Sequence, residues 1–206
     1  MTSQPKHGSA KQTHSVDIGC LADHEEFVAT LVQWHHKEWA YLRPGDTIEA
    51  RTRRIRNACG HQQIPTAFVA FTGTELLGSA MLIAHDMDTR LEFSPWVAGV
   101  FVAPIHRGKG IGTALVKRTV EEASILKVPR LFLYTPGAEE FYVRLGWQSL
   151  ERPRYHEVDV VVMSKEVTPN HSPNPTLGPC TPPTGQEACQ PRRESSRSSN
   201  PNESVA

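Results

Sequence analysis

The sequence predicts an α/β fold, a mixed sheet flanked by helices, from three observations. Short apolar runs at residues 67–71, 76–84 and 96–102 follow one another, each bounded by Gly, Pro or a polar turn. The period then changes: Ile111, Leu115, Val116, Val120, Ala123 and Leu126 recur at helical spacing. Further apolar runs at residues 131–134 and 158–164 come after that helix, so strands lie on both sides of it in sequence.

The remaining elements follow from punctuation. Residues 15–19 read as a first strand. Asp23-His24-Glu25-Glu26 has the form of a capping box, with Phe27, Leu31 and Trp34 following at helical spacing to about residue 40. Pro44-Gly45 breaks the chain. Asp46 and Glu49 repeat the capping pattern before a second helix to about residue 58. Thr72-Gly73-Thr74-Glu75 joins the first two apolar runs into a hairpin. A polar connection over residues 85–90 leads past Pro95 to the strand 96–102, which Pro104 ends. The helix from 110 to about 127, the strand 131–134 and a short helix over 138–145 come next. Gly146 stands where a C-cap is favoured. Two last strands are expected at 148–152 and 158–164.

Of 206 residues, 38% are apolar, and the deficit is concentrated at one end. Half of the sixteen prolines lie after Val167, in a stretch without Phe, Trp or Tyr. Such a segment buries too little apolar surface to offset its ordering entropy, so residues 1–14 and 168–206 are expected to be disordered around one domain at 15–167. Formal net charge is zero, with no basic stripe, which argues against nucleic acid and against a membrane surface as partner. No apolar run reaches the roughly 18–20 residues that cross a bilayer, and no signal-peptide core is visible. A soluble, cytoplasmic protein is expected. Cys20, Cys59, Cys180 and Cys189 form no CxxC pair, so neither a metal nor a disulfide framework is expected.

The strongest local signal is the passage from Val100-Phe101-Val102 to Arg107-Gly108-Lys109-Gly110-Ile111-Gly112-Thr113. A strand ends, a glycine-rich loop follows and a helix begins. Glycines let backbone N–H groups converge on one point, and the helix N-terminus adds partial positive charge. Together they suit a pyrophosphate, with Arg107 and Lys109 adding charge. The loop is neither GxxxxGK[ST] nor GxGxxG, since Thr113 stands where the third glycine of the latter would fall.

Arg107-x-x-Gly110-x-Gly112 after a Val-rich strand resembles the acetyl-CoA motif of the GNAT superfamily of N-acetyltransferases. Phe141-Tyr142-Val143-Arg144-Leu145-Gly146-Trp147 resembles that family's second signature, with Trp147 where Phe or Tyr is commoner. The resemblance implies a mostly antiparallel sheet whose central strands, around 97–102 and 131–135, are splayed. It implies acetyl-CoA as cosubstrate, with pantetheine against Val100 and Val102 and pyrophosphate against residues 107–113. Ala98-Gly99 is a plausible bulge, because glycine tolerates the kink that parts two strands.

The implied reaction moves an acetyl group from a thioester to an amine by direct attack. Backbone N–H groups near Val100 and Phe101 are candidates for binding the oxyanion. Tyr142 is the candidate general acid, where the family places it: a phenol is protonated at neutral pH and can donate to the leaving thiolate. Phe141 and Leu145, four apart, are expected to face the core and Tyr142 the cleft. Glu92, before the central strand, is the candidate general base, with His85, Asp86 and Asp88 close in sequence.

Acceptor contacts are expected from Glu38, Trp39 and Tyr155, because aromatic rings beside a carboxylate suit a cationic amine. Trp34 falls on the apolar stripe of its helix and reads as core. His35 and His36 point apart on a helix and do not read as a metal pair. The acceptor stays open between a small-molecule amine and a peptide or protein amine. A homodimer is compatible with the sequence. Alternatives are a non-catalytic acyl-CoA sensor and a toxin acting on aminoacyl-tRNA, the latter disfavoured by the zero net charge.

Overall fold

The structure is a computed structural model and describes residues 15–168. The expected N-terminal arm, the tail beyond it, Cys180 and Cys189 lie outside the described residues. In chain order the elements are β1 (Asp17–Cys20), α1 (Val28–Trp39), α2 (Ile48–Asn57), β2 (Thr66–Thr72), β3 (Glu75–Ile83) and β4 (Trp96–Val102). There follow α3 (Ile111–Ile125), β5 (Arg130–Thr135), α4 (Glu139–Arg144), β6 (Gln148–Glu151), β7 (Arg154–Tyr155), β8 (Val158–Asp159) and β9 (Val161–Glu166).

Seven strands form one sheet in the order β1-β2-β3-β4-β5-β9-β6. Every neighbouring pair is antiparallel except β4 and β5. That pair is parallel because α3 carries the chain across between them, the connection parallel strands require. The sheet is therefore mixed and mostly antiparallel, with helices on both faces.

Alternation along β2 assigns the two faces. Ala67 and Val69 pack with Leu31 of α1 and Ile55 of α2. Phe68 and Ala70 pack with Ile111 and Leu115 of α3. Because both faces are covered, β2 and β3 read as continuous buried runs.

Three local expectations are corrected. The first helix does not start at a capping box. Residues 21–27 form two tight turns instead, closed by His24 N to Leu21 O and Phe27 N to His24 O, both 3.0 Å, and α1 begins at Val28. Burial of Leu21 and Phe27 draws the chain down before it can enter the helix. The cap of α2 is Thr47, whose Oγ1 accepts from Ala50 N at 3.1 Å. Asp46 is drawn instead to Arg51 and Arg54. The last predicted strand is split: His156 and Glu157 adopt positive φ and fold β7 and β8 into a separate hairpin, so the sheet strand β9 starts only at Val161.

Candidate functional site

The parallel pair β4 and β5 meets at one paired position, Trp96 opposite Phe132, and separates beyond it. On its other side β4 remains paired to β3 as far as Val102, and β5 remains paired to β9 as far as Thr135. Two strands held from outside and parted from each other leave a gap in the sheet. A cavity of about 750 Å³ occupies it, walled by residues 97–102 of β4 and by residues 134–138 at the end of β5.

The register of β3 on β4 shifts between Ser79 and Met81, opposite Gly99. Gly99 has φ 57°, a left-handed conformation that side-chain-bearing residues rarely adopt. Ser79 Oγ donates to Gly99 O at 2.9 Å. The buried His35 of α1 sits 2.8 Å behind it, Nε2 to Ser79 Oγ. A polar chain from α1 through β3 thus fixes the bulge that turns β4 away from β5.

On the α3 side, the cavity is lined by Arg107, Gly108, Gly110, Ile111, Gly112 and Thr113. Gly108 and Gly110 have φ 76° and 81°, and a Cβ on either would meet nothing within 4 Å. The first N–H groups of α3 have no helical partner and open onto this loop. Arg107 Nε donates to Val102 O at 2.9 Å, and its guanidinium lies 5.8 Å from the Phe101 ring centroid. Lys109 is exposed and does not line the cavity, because the turn carries it outward.

On the α1–α2 side, Glu38, Trp39, Leu42, Arg43, Arg51 and Asp86 line the same cavity. Trp39 and Trp34 both pack on Phe101, at centroid distances of 6.1 and 5.1 Å. Trp34 is half-buried beside the core formed with Leu31. Arg43 Nη2 donates to Asp86 O at 2.6 Å and to Asp86 Oδ1 at 2.8 Å. Burial pushes the Asp86 carboxyl above its ordinary value despite the Arg43 guanidinium. Burial lowers the His35 pKa to about 3, with the Arg51 charge adding to the shift, so the ring is neutral.

Tyr142 lies on α4 and lines the cavity. Burial pushes its phenol pKa up. Among the described residues its hydroxyl has no hydrogen-bond partner. The ring packs edge-on against Trp147 at 6.1 Å. The expected place of Phe141 is corrected: it is half-buried and lines the cavity beside Tyr142, which is 7% exposed.

Besides Lys109, two nominated residues stand elsewhere. Glu92 is exposed in the turn before Pro95 and is not among the cavity-lining residues. Tyr155 is buried against Tyr134 at 5.5 Å in the core under the β7–β8 hairpin. Arg43, Arg51 and Tyr134 were not singled out by sequence, and Asp86 only as a neighbour of Glu92. Arg43 sits on the connection after α1 and Arg51 on α2, with no motif to mark them.

Residues 64–149 match the family model of the acetyltransferase (GNAT) domain. Over those residues the chain carries a GNAT acetyltransferase domain. No curated protein sequence matches it. GNAT structures share its fold. An aminoglycoside 6'-N-acetyltransferase complexed with coenzyme A is 17% identical with a TM-score of 0.61, over 74% of this chain and 98% of that one. A Vibrio cholerae spermidine N-acetyltransferase in complex with CoA and spermine is 19% identical with a TM-score of 0.54, over 75% and 96%. The Escherichia coli ribosomal-protein-S18-alanine N-acetyltransferase is 16% identical, also with a TM-score of 0.54, over 75% and 95%. At such identities the likeness is one of fold. Within the GNAT domain of this chain, the cavity runs through the parted strands that the family resemblance implied.

No helix among the described residues is long and apolar enough to cross a membrane.

Proposed function

We propose that this GNAT domain binds acetyl-CoA in the gap between β4 and β5 and transfers its acetyl group to a primary amine entering from the α1–α2 side. The observation that carries this reading is the single paired position between two parallel neighbours, Trp96 and Phe132. Beyond it, the facing backbone edge of β4 is open to an extended, amide-bearing ligand such as pantetheine. The glycine turn at Gly108 and Gly110 and the N-terminus of α3 adjoin that edge and suit the pyrophosphate. The CoA complexes among proteins of the same fold support the same ligand.

The chemistry follows from the two ends of the cavity. The amine nitrogen attacks the thioester carbonyl carbon. Negative charge collects on the carbonyl oxygen, where backbone N–H groups of β4 near Val100 and Phe101 stabilise it. The C–S bond then breaks and the thiolate takes the Tyr142 hydroxyl proton. A phenol holds its proton at neutral pH, and a hydroxyl without a protein partner is free to turn toward sulfur.

A base must take the proton the amine loses. Glu92 lies outside the cavity, whereas Asp86 lines it. Asp86 Oδ1 accepts from Arg43, and Oδ2 has no partner among the described residues. A carboxyl raised by burial is a better proton acceptor than an ordinary one. We therefore assign Asp86 as the base in place of Glu92.

The test is thiol release from acetyl-CoA with a panel of amines, beside calorimetry of acetyl-CoA. Tight binding with release for at least one amine is expected. Binding without release across amino acids, polyamines, amino sugars and peptides would leave an acyl-CoA-binding protein. Absence of binding would remove the cavity as a CoA site.

A further inference from the structure

We infer that the acceptor carries a carboxylate beside its amine, an amino acid or a close relative, held by Arg43 and Arg51. This inference rests on the acetyl-transfer reading of the cavity and names the class of its second substrate.

Arg51 is only 7% exposed and lines the cavity from α2. Its Nη2 pairs with Asp46. Its Nε is buried with no acceptor, and among the described residues Nη1 has none either. A buried donor without a partner costs free energy comparable to a lost hydrogen bond, and more when the group is charged. Arg43 uses Nη2 on Asp86 and likewise leaves Nε and Nη1 without a protein acceptor.

The carboxylates nearby do not cancel these charges. Asp46 is shared between Arg51 and Arg54, so three guanidiniums face two aspartates across this corner. Arg43 and Arg51 both line the cavity, and neither has all its donors filled. A planar guanidinium fork matches the two oxygens of a carboxylate, which is why arginine recurs where that group is recognised.

The same wall offers a place for the amine. Asp86 Oδ2 is free of protein partners, and Glu38 stands exposed at the rim. An arginine and an aspartate side by side complement a carboxylate and an ammonium side by side. A polyamine would set its second positive charge against Arg43 and Arg51, at a cost in both Coulomb repulsion and unfilled donors.

The experiment uses the full chain with acetyl-CoA and four amino acids: phenylalanine, methionine, lysine and glutamate. Each is compared with its carboxamide and its decarboxylated amine, with spermidine added. At least one amino acid should exceed its carboxamide in kcat/KM by about tenfold or more, the range expected for a charge-assisted hydrogen bond. Arg43→Gln and Arg51→Lys should each bring that ratio toward one, with the KM for acetyl-CoA unmoved. Arg43 is the more exposed of the two, so its variant keeps the test alive if Arg51→Lys fails to fold. Spermidine or the carboxamides used as well as the amino acids would overturn the inference, as would a ratio unchanged in the variants. A second readout separates the two claims: the melting shift that each N-acetylamino acid and its amide give to the CoA-saturated protein. A carboxylate-specific shift lost in Arg43→Gln, without turnover of any amine, supports the carboxylate site and sinks the transfer reading instead. No carboxylate-specific shift and no carboxylate preference in turnover sinks the inference itself.

Discussion

His35 Nε2 lies 2.8 Å from Ser79 Oγ, and both residues are buried between α1 and the sheet. Ser79 gives its hydroxyl proton to Gly99 O, so the imidazole must donate from Nε2. A neutral ring, one hydroxyl and one carbonyl together hold the bulge that opens the sheet.

That neutrality has a cost at low pH. His35 is held at about 3 against an ordinary value of 6.5, by desolvation first and the Arg51 charge second. Its folded pKa lies below its unfolded one, so its contribution is complete above about pH 6.5 and is lost as pH falls toward the folded value. Within that window the stability should fall by about 1.4 kcal/mol per pH unit from this group. His35→Gln should show a shallower fall. Urea unfolding of both proteins across the window checks this, and parallel slopes would mean that the ring is protonated in the folded state.

Gly99→Ala tests the bulge itself. The new Cβ would approach His35 Cε1 to 2.9 Å and Met81 Sδ to 3.2 Å, at a φ of 57°. A loss of about 1–3 kcal/mol is expected from the strained backbone conformation alone. Gly112→Ala is the comparison, because its Cβ would stand 3.5 Å from Phe141 Cζ, an ordinary contact. Thermal melts should separate the two, with Gly112→Ala close to the parent.

Gly110→Asp should weaken acetyl-CoA binding by more than about tenfold, through a like charge at the helix N-terminus where the pyrophosphate sits. Its φ of 81° adds backbone strain. Calorimetry giving unchanged affinity would take the loop out of the cofactor site.

Tyr142→Phe should lower turnover by about 10²–10⁴-fold if chemistry limits the rate, the usual worth of a general acid. The hydroxyl has no protein partner and the ring contacts remain, so melting temperature and acetyl-CoA affinity should hold. Full activity would make Tyr142 a packing residue. Lost affinity would make its role structural.

Asp86→Asn should reduce turnover at neutral pH, with part of the loss recovered at high pH, where the amine deprotonates unaided. Glu92→Gln should change neither the rate nor its pH profile, since Glu92 is exposed and outside the cavity. A pH-dependent defect in Glu92→Gln with a silent Asp86→Asn would reverse the assignment.

The sequence by itself determined what is local. Apolar runs placed β2 to β5, because a strand buried on both faces must be apolar throughout. The 3.6 period placed α3, and glycines that need positive φ marked the loop at Gly108 and Gly110 and the end of α4 at Gly146. The signature around Phe141-Tyr142 pointed to the wall of the cavity on which Tyr142 stands. Tertiary structure alone decided the rest. Capping strings compete with other partners: Asp46 has the form of a cap, yet two arginines outbid the backbone for its carboxylate. The acceptor side of the cavity joins Arg43 from a connecting turn, Arg51 from α2, Asp86 from beyond β3 and Tyr134 from β5. No spacing along the chain encodes that meeting. It exists because β4 and β5 part after a single paired position, a consequence of packing across the whole sheet, and charged side chains from distant segments converge on the gap.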